Sequence, residues 1–279
     1  MIGQENNKRL IENFVDNDTC PRFMIITGAE GGGKRTFAKF ISEKLNADFL
    51  LFDNKVESIR EVINTAYTQS KNILYCVYGY ETMSIAAKNA LLKIAEEPPT
   101  NTYVILTATN KNEILTTLTS RAVVIDLEKY TIKELEECAK IFGVETDNIE
   151  LCEVPLDIIK LQSTNQEEFK NFIDNVWEKI GTASIGNSLK LTNKLKLKEE
   201  QEGFDVILFI NSIMKKVVEE VVHIPRHNKV EISANNLKYG KKILELCYET
   251  KNKFNSKYNK QALLDTFIID LRNLRNGII

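Results

Sequence analysis

The sequence predicts an α/β fold in its first half, followed by an all-helical second half. Two observations support the α/β part: short apolar runs such as Phe23–Thr27 alternate with amphipathic helical patterns, and a glycine-rich turn follows the first run. Strands and helices that alternate in this way form a parallel sheet with helices on both faces. After Leu127 only helical periodicity remains, so we expect a five-stranded parallel sheet and then a bundle of helices.

The five predicted strands are largely apolar, as expected for strands that are buried on both faces. They lie at Phe23–Thr27, Phe49–Phe52, Ile73–Tyr78, Tyr103–Thr107 and Val123–Leu127. Amphipathic helices are predicted before the first strand and after each of the first three strands. Ser84 is predicted to cap the helix that ends at Glu96 and Glu97, because Pro98 and Pro99 follow directly.

Long apolar stripes mark the helices of the second half. One stripe runs from Phe204 to Val221 and another from Leu263 to Leu274, with apolar residues at helical spacing. We interpret both stripes as the core of a helical bundle. The charged run Lys194–Glu202 is interpreted as a solvated turn between two helices.

The glycine-rich turn matches most of the pattern of a phosphate-binding loop. Gly28, Gly33 and Lys34 satisfy the first seven positions of that pattern, directly after a strand and at the start of a helix. Glycines let backbone N–H groups approach an anion, and the helix adds its positive N-terminal end. Lys34 is placed to reach the outer phosphates as a point charge. The alternative interpretation is an ordinary glycine-rich turn, which does not explain the lysine or the spacing.

Two departures from the pattern argue against ATP hydrolysis. The eighth position, normally a Ser or Thr that binds Mg²⁺, is Arg35, whose cation repels a divalent metal. Thr36 follows one residue later, and a helix turns successive side chains about 100° apart. The third strand ends at Tyr78 and lacks the carboxylates that order the metal and polarise water. Glu81 lies further on, and even two residues of extended chain span about 6–7 Å.

The overall composition is that of an ordinary globular protein. The chain has 279 residues and a formal net charge of −2, so contact with nucleic acid would need a local basic patch. Its five cysteines form no Cys-x-x-Cys pair, which favours reduced thiols over a disulfide framework or a zinc ribbon. No apolar run approaches the roughly 18 residues of a membrane helix, and the start of the chain is polar. We therefore expect a cytoplasmic protein that has no membrane partner.

Three motifs outside the glycine loop carry a resemblance to a known family. The chain opens with Ile2-Gly3-Gln4, the segment Ala86–Pro99 reads Ala-Ala-Lys-Asn-Ala-Leu-Leu-Lys-Ile-Ala-Glu-Glu-Pro-Pro, and Leu115–Arg121 reads Leu-Thr-Thr-Leu-Thr-Ser-Arg. Together they resemble clamp-loader subunits of the AAA+ class, most of all the delta-prime subunits of bacterial DNA polymerase III. Ala122 stands where the family has a cysteine. The resemblance is strong over residues 1–127 and only architectural beyond them.

The resemblance implies an AAA+ P-loop domain followed by two helical domains. Residues 1–127 would form the RecA-like, nucleotide-binding-type domain, residues 128–165 a small helical lid, and residues 166–279 a helical collar that holds an oligomer together. The zinc-binding cysteines of the family are absent, so we expect neither zinc nor another metal site. Asp157 stands near the position where an active motor would carry a sensor-2 arginine.

The resemblance also assigns roles to individual residues. Arg121 would act as an arginine finger on the nucleotide of a neighbouring subunit, and Ser120 would help to position it. The residues that would hold ATP or ADP, passively and without need of Mg²⁺, are Gly28, Gly31, Gly32, Gly33, Lys34, Arg35 and Thr36. The missing acids imply a subunit that does not hydrolyse ATP itself and that completes the site of a neighbour.

The implied partners are those of a clamp loader in DNA replication. They are other clamp-loader subunits in a hetero-oligomeric spiral, a ring-shaped sliding clamp, and primer–template DNA reached through the assembled complex. Two alternatives stay open. One is an active ATPase motor subunit in which Thr36 and Glu81 take over the missing roles, and the other is an AAA+-fold adaptor that uses neither nucleotide nor finger.

Overall fold

The computed structural model describes most of the chain. The described residues are 1–68, 71–146, 148–202, 204–223, 233–254 and 258–277. The chain divides into two compact units, Met1–Glu137 and Cys138–Ile279. The predicted division into residues 1–127, 128–165 and 166–279 stays a prediction.

The first unit is built on one sheet of five parallel strands. The strands are β1 (Phe23–Thr27), β2 (Asp48–Phe52), β3 (Ile73–Val77), β4 (Thr102–Ala108) and β5 (Val123–Asp126). They lie in the order β2-β3-β4-β1-β5, so β1 is an inner strand between β4 and β5. Every residue of β1, β3 and β4 is buried. This arrangement confirms the predicted parallel sheet.

Helices cover both faces of this sheet. They are α1 (Glu5–Asp16), α2 (Lys34–Lys44), α3 (Val56–Ala66), α4 (Ile85–Glu96) and the short α5 (Thr116–Thr119), with 3₁₀ turns at Tyr80–Thr82 and Lys111–Glu113. Successive side chains of a strand point to opposite faces. Ile25 therefore packs in one apolar core with α3 and α4, whereas Met24 and Ile26 pack in a second core with α1 and α2. The two cores confirm the prediction that helices lie on both faces of the sheet.

Helix α4 begins and ends where the sequence predicts. The Ser84 hydroxyl accepts a hydrogen bond from the backbone N–H of Ala87, at 3.2 Å, and so caps the first turn. The helix ends at Glu96, just before the pair Pro98 and Pro99, since proline cannot continue a helix. The side chain of Glu96 is exposed at the end of a regular element, which places its carboxylate on the surface of the first unit.

The second unit contains helices and no strand among its described residues. The helices from residue 132 onward are α6 (Ile132–Phe142), α7 (Pro155–Ser163), α8 (Gln166–Lys179), α9 (Ile185–Glu202), α10 (Val206–Val218), α11 (Ala234–Phe254) and α12 (Lys260–Arg275), with 3₁₀ turns at Ile149–Leu151 and Ile180–Thr182 and a π-helical turn at Glu219–His223. The two helices that carry the predicted apolar stripes meet in this unit, for example at the buried residues Phe209 of α10 and Phe267 of α12, whose ring centroids lie 6.4 Å apart. These contacts confirm the predicted helical bundle.

One prediction for the second unit is wrong. The charged run Lys194–Glu202 is the last part of α9 and not a turn. Leu195 is only 2% exposed, and it continues a buried face that Ser188 and Thr192 begin at helical spacing. Because Leu195 is surrounded by charged residues in the sequence, its burial is not evident from the local pattern. The helix continues through this segment because Leu195 packs on its buried face.

A polar cluster joins α12 to other helices of the second unit. The guanidinium of Arg275 stacks on Trp177, 3.9 Å from the ring centroid, and donates to the Glu220 carboxylate at 2.8 Å. It also donates to the Tyr239 hydroxyl at 3.1 Å, and the indole N–H of Trp177 donates to the same Glu220 carboxylate at 2.9 Å. Because these polar groups satisfy one another, we assign the cluster a structural role.

Candidate functional site

The glycine loop lies at the carboxyl end of β1, an inner strand of the sheet. Open parallel sheets bind ligands at this edge. Gly28, Gly31 and Gly32 lie in the loop, and Gly33 directly precedes α2 with a φ of +86°. A side chain at Gly33 would be strained, and its Cβ would lie 3.0 Å from the hydroxyl of Tyr130. Glycine is therefore required where the loop enters the helix.

Lys34 is the first residue of α2, and its ammonium folds back over the loop. The Nζ atom donates to the carbonyl oxygens of Gly28, at 2.7 Å, and Ala29, at 2.8 Å. Burial lowers the pKa of this ammonium, and the carboxylates of Glu81 and Glu30 oppose that effect in part. An ammonium has three donors, so these two bonds leave one N–H for an anion at the positive end of the helix.

Arg35 and Tyr78, the two departures from the ATPase pattern, contact each other. The central guanidinium carbon of Arg35 lies 3.8 Å from the centroid of the Tyr78 ring, in a cation–π contact. Arg35 is exposed and Tyr78 is half-buried, while Thr36 is exposed. A stacked cation therefore lies where the pattern needs an oxygen ligand for Mg²⁺. The glycine backbone and Lys34 fit a phosphate group, whereas this pair does not fit a magnesium site.

Glu81 is held by a hydrogen bond to the segment that follows β4. It belongs to the 3₁₀ turn Tyr80–Thr82, and its carboxylate accepts a hydrogen bond from the backbone N–H of Thr109, which directly follows β4. The neighbouring Tyr80 hydroxyl accepts a bond from the N–H of Leu115, at 2.9 Å. The turn is thus fixed against the segment after β4. The negative charge of Glu81 opposes the lowering of the Lys34 pKa, but burial has the larger effect.

Two contacts of the first unit, one of them with the glycine loop, cannot be predicted from local sequence patterns. The hydroxyl of Tyr130, in the segment after β5, donates to the carbonyl oxygen of Gly32 at 3.2 Å. Gln4 is 2% exposed, and its amide makes two hydrogen bonds with the backbone of Glu128, at 2.7 and 2.8 Å. Both contacts join residues that are distant in sequence, so no local pattern could reveal them. The sequence identifies Gln4 only as part of one motif that carries the resemblance.

Arg121 lies on the surface of the first unit and is bonded within its own chain. Its NH2 group lies 2.9 Å from a carboxylate oxygen of Glu96, and its NH1 group donates to the Thr117 carbonyl at 2.8 Å. The hydroxyl of Ser120 lies 3.4 Å from NH1, so these two predicted site residues are neighbours in space. The side chain remains 37% exposed. Within the described part of the chain, no hydrogen bond or ion pair joins Arg121 to the glycine loop.

Asp157, near the expected sensor-2 position, is a structural residue of α7. Its carboxylate accepts hydrogen bonds from the backbone N–H groups of Glu153, at 2.9 Å, and Val154, at 3.1 Å. The side chain is 4% exposed, and burial raises the pKa of its carboxyl group. These bonds satisfy N–H groups at the start of the helix, which is a capping role.

Among the residues that the structure describes, no group of three or more His, Cys, Asp or Glu side chains is arranged to hold a metal ion. None of the described helices combines the length and the apolar character that crossing a bilayer requires.

The chain is similar in sequence to subunits of DNA polymerase III. Residues 51–131 match the family described as DNA polymerase III, delta subunit. The chain is 22% identical over 231 residues to DNA polymerase III subunit gamma/tau of Mycoplasma genitalium, covering 69% of this chain and 38% of the relative. It is 30% identical over 154 residues to subunit gamma of Buchnera aphidicola, covering 44% and 42%. It is 26% identical over 173 residues to subunit delta' of Haemophilus influenzae, covering 60% and 52%.

These matches cover only part of each relative. The chain spans 38%, 42% and 52% of the lengths of these three proteins. Among solved structures, two variants of RuvB from Thermotoga maritima align with a TM-score of 0.50, at 18% identity over 83% of both chains. At that identity the alignment shows a shared fold alone. Together with the motifs, the family match and the polymerase relatives confirm the predicted resemblance of this chain to AAA+ clamp-loader subunits.

Proposed function

We propose that the chain is a non-hydrolysing, delta-prime-like subunit of a DNA sliding-clamp loader. It holds ATP or ADP passively in the glycine loop and donates Arg121 in trans to the ATPase site of a neighbouring subunit. The observation that carries the proposal is the stacking of Arg35 on Tyr78, at 3.8 Å.

The stacked pair replaces residues that ATP hydrolysis requires. Hydrolysis at a phosphate loop needs a metal that bridges the phosphates and a residue that orients the attacking water. Arg35 brings a cation to the position of the metal-binding hydroxyl, and Tyr78 brings an aromatic ring to the tip of β3. The nearest replacement carboxylate, Glu81, is bonded to the backbone N–H of Thr109. Phosphate binding through Lys34 and the helix N-terminus does not need these missing parts.

The position of Arg121 supports a role in trans. Its guanidinium is partly exposed and makes no ion pair or hydrogen bond to the glycine loop of its own chain, within the described residues. An arginine supplied from outside stabilises the charge that develops on a transferring phosphoryl group. In this proposal residues 166–279 form the collar that holds the oligomer together. The chain reaches the sliding clamp and primer–template DNA only within the cytoplasmic, hetero-oligomeric complex.

A second candidate function is an active motor subunit. Two observations favour it. Relatives of this chain are named gamma and gamma/tau subunits, and the negative charge of Glu81 partly opposes the lowering of the Lys34 pKa. In that case Glu81 would leave Thr109 when Mg-ATP binds and would take over the role of the absent acid.

ATP turnover by the purified chain separates the two candidates. In the presence of Mg²⁺ we expect no steady release of phosphate above the level of a Lys34→Ala variant, because metal ligand and acid are both missing. An active motor would instead release phosphate steadily, and the Lys34→Ala variant would lose that activity. Such a result would contradict the proposed function.

A further inference from the structure

We propose that the Glu96 carboxylate competes with the nucleotide phosphate of a neighbouring subunit for the guanidinium of Arg121. Glu96 restrains Arg121 until that phosphate displaces the carboxylate. This inference rests on the proposed function, because it assigns a regulatory contact to the same arginine. The two side chains form an ion pair, with 2.9 Å between the Arg121 NH2 group and a carboxylate oxygen of Glu96.

The two partners come from different elements of the first unit. Glu96 is the last residue of α4, and Arg121 follows α5 by two residues. The guanidinium is held at both ends, since its NH1 group donates to the carbonyl of Thr117 at 2.8 Å. The Glu96 carboxylate and the Thr117 carbonyl both belong to the same chain as Arg121, so they restrain the arginine in the absence of a partner subunit.

The competition follows from the chemistry of the guanidinium group. Carboxylate and phosphate oxygens bind the same N–H groups of an arginine, in similar planar geometry. While Glu96 occupies NH2, its negative charge also opposes the approach of a phosphate to that edge. A second oxyanion must therefore replace the first before Arg121 can act at full strength.

The exposure of the pair keeps this restraint weak and reversible. The side chain of Arg121 is 37% exposed and that of Glu96 is 52% exposed. Water and salt weaken an ion pair at such a site, whereas a nucleotide phosphate carries more charge and lies in a cleft with less water. In the free subunit the Glu96 carboxylate therefore binds Arg121, and in the assembled complex the nucleotide phosphate of the neighbouring subunit displaces it.

The test uses the assembled complex with its other subunits. We expect Glu96→Gln to raise ATP hydrolysis at subsaturating ATP by about two- to five-fold, the size expected from the loss of an exposed ion pair. Glu97→Gln is the matched control, because Glu97 is the next residue, is also exposed and has no ion pair within the described residues. We expect this control to leave the rate unchanged, and the double variant Glu96→Gln/Arg121→Ala to remain as slow as Arg121→Ala alone.

A second measurement on the free chain tests the contact itself. The rate at which phenylglyoxal modifies Arg121, followed by mass spectrometry of the peptide, should rise in Glu96→Gln and not in Glu97→Gln. An ATPase rate that stays equal or falls in Glu96→Gln would overturn the competition, while the proposed function would still stand if Arg121→Ala is inactive. A rise in rate that persists in the double variant would overturn the competition as well, because the effect would then not pass through Arg121.

Discussion

Replacing Arg121 by Ala is expected to lower ATP hydrolysis at the neighbouring site of the assembled complex by about 10³-fold or more, the effect typical of an arginine finger. The loss should be this large because the guanidinium would stabilise charge that develops on the phosphoryl group in the transition state. The purified chain itself should fold and bind nucleotide as before, since Arg121 is on the surface and does not contact the glycine loop within the described residues.

The measurement is single-turnover ATP hydrolysis by the assembled complex, which separates one impaired site from the others. Arg60→Ala is the matched control, because Arg60 is an exposed arginine of the same unit, on α3. If Arg121→Ala slows hydrolysis no more than Arg60→Ala does, the chain is an adaptor that donates no finger. The same result would remove the basis of the competition with Glu96.

Replacing Lys34 by Ala is expected to weaken the binding of ATP or ADP to the isolated chain by about 10- to 100-fold. Hydrogen bonds to charged groups contribute about 1.5–3 kcal/mol each, and the lysine supplies such a bond together with a full positive charge. In the free chain the Lys34 ammonium donates hydrogen bonds to the carbonyl oxygens of Gly28 and Ala29, so it already lies beside the loop backbone.

Titration with a fluorescent ADP analogue measures this effect. Lys39→Ala is the matched control, since Lys39 is an exposed lysine of the same helix. Thermal unfolding of both variants shows whether the loop still folds once the carbonyl groups lose their partner. Equal affinities for the Lys34→Ala variant and the wild-type chain would mean that the glycine loop does not bind phosphate.

The sheet and its surrounding helices could be predicted from the sequence because their signals are local. Every residue of β1 is buried between two layers of helices, and an unbroken apolar run predicts such a strand. The cap at Ser84 and the end of α4 at Glu96 also depend on residues that are close in sequence. The prediction of a turn at Lys194–Glu202 is wrong because it relied on the local run of charges. The burial of Leu195, which shows that this segment belongs to a helix, depends on packing with the rest of the bundle.

The candidate site could be predicted only in part. The sequence predicts the glycine loop, and it shows Arg35 and Tyr78 as two separate departures from the ATPase pattern. That Arg35 and Tyr78 stack on each other follows from the sheet, which brings the tip of β3 beside the start of α2. The contacts of Tyr130 with the loop and of Glu96 with Arg121 likewise join separate segments, and no spacing rule connects them.

The most direct test of the central claim is nucleotide binding by the isolated chain with and without Mg²⁺. A loop that binds phosphate through glycine N–H groups and Lys34, with Arg35 on Tyr78 beside it, should bind an ADP analogue with the same dissociation constant in Mg²⁺ and in EDTA. Binding that requires Mg²⁺ would contradict the account, because it would mean that a metal site exists where we place a stacked cation.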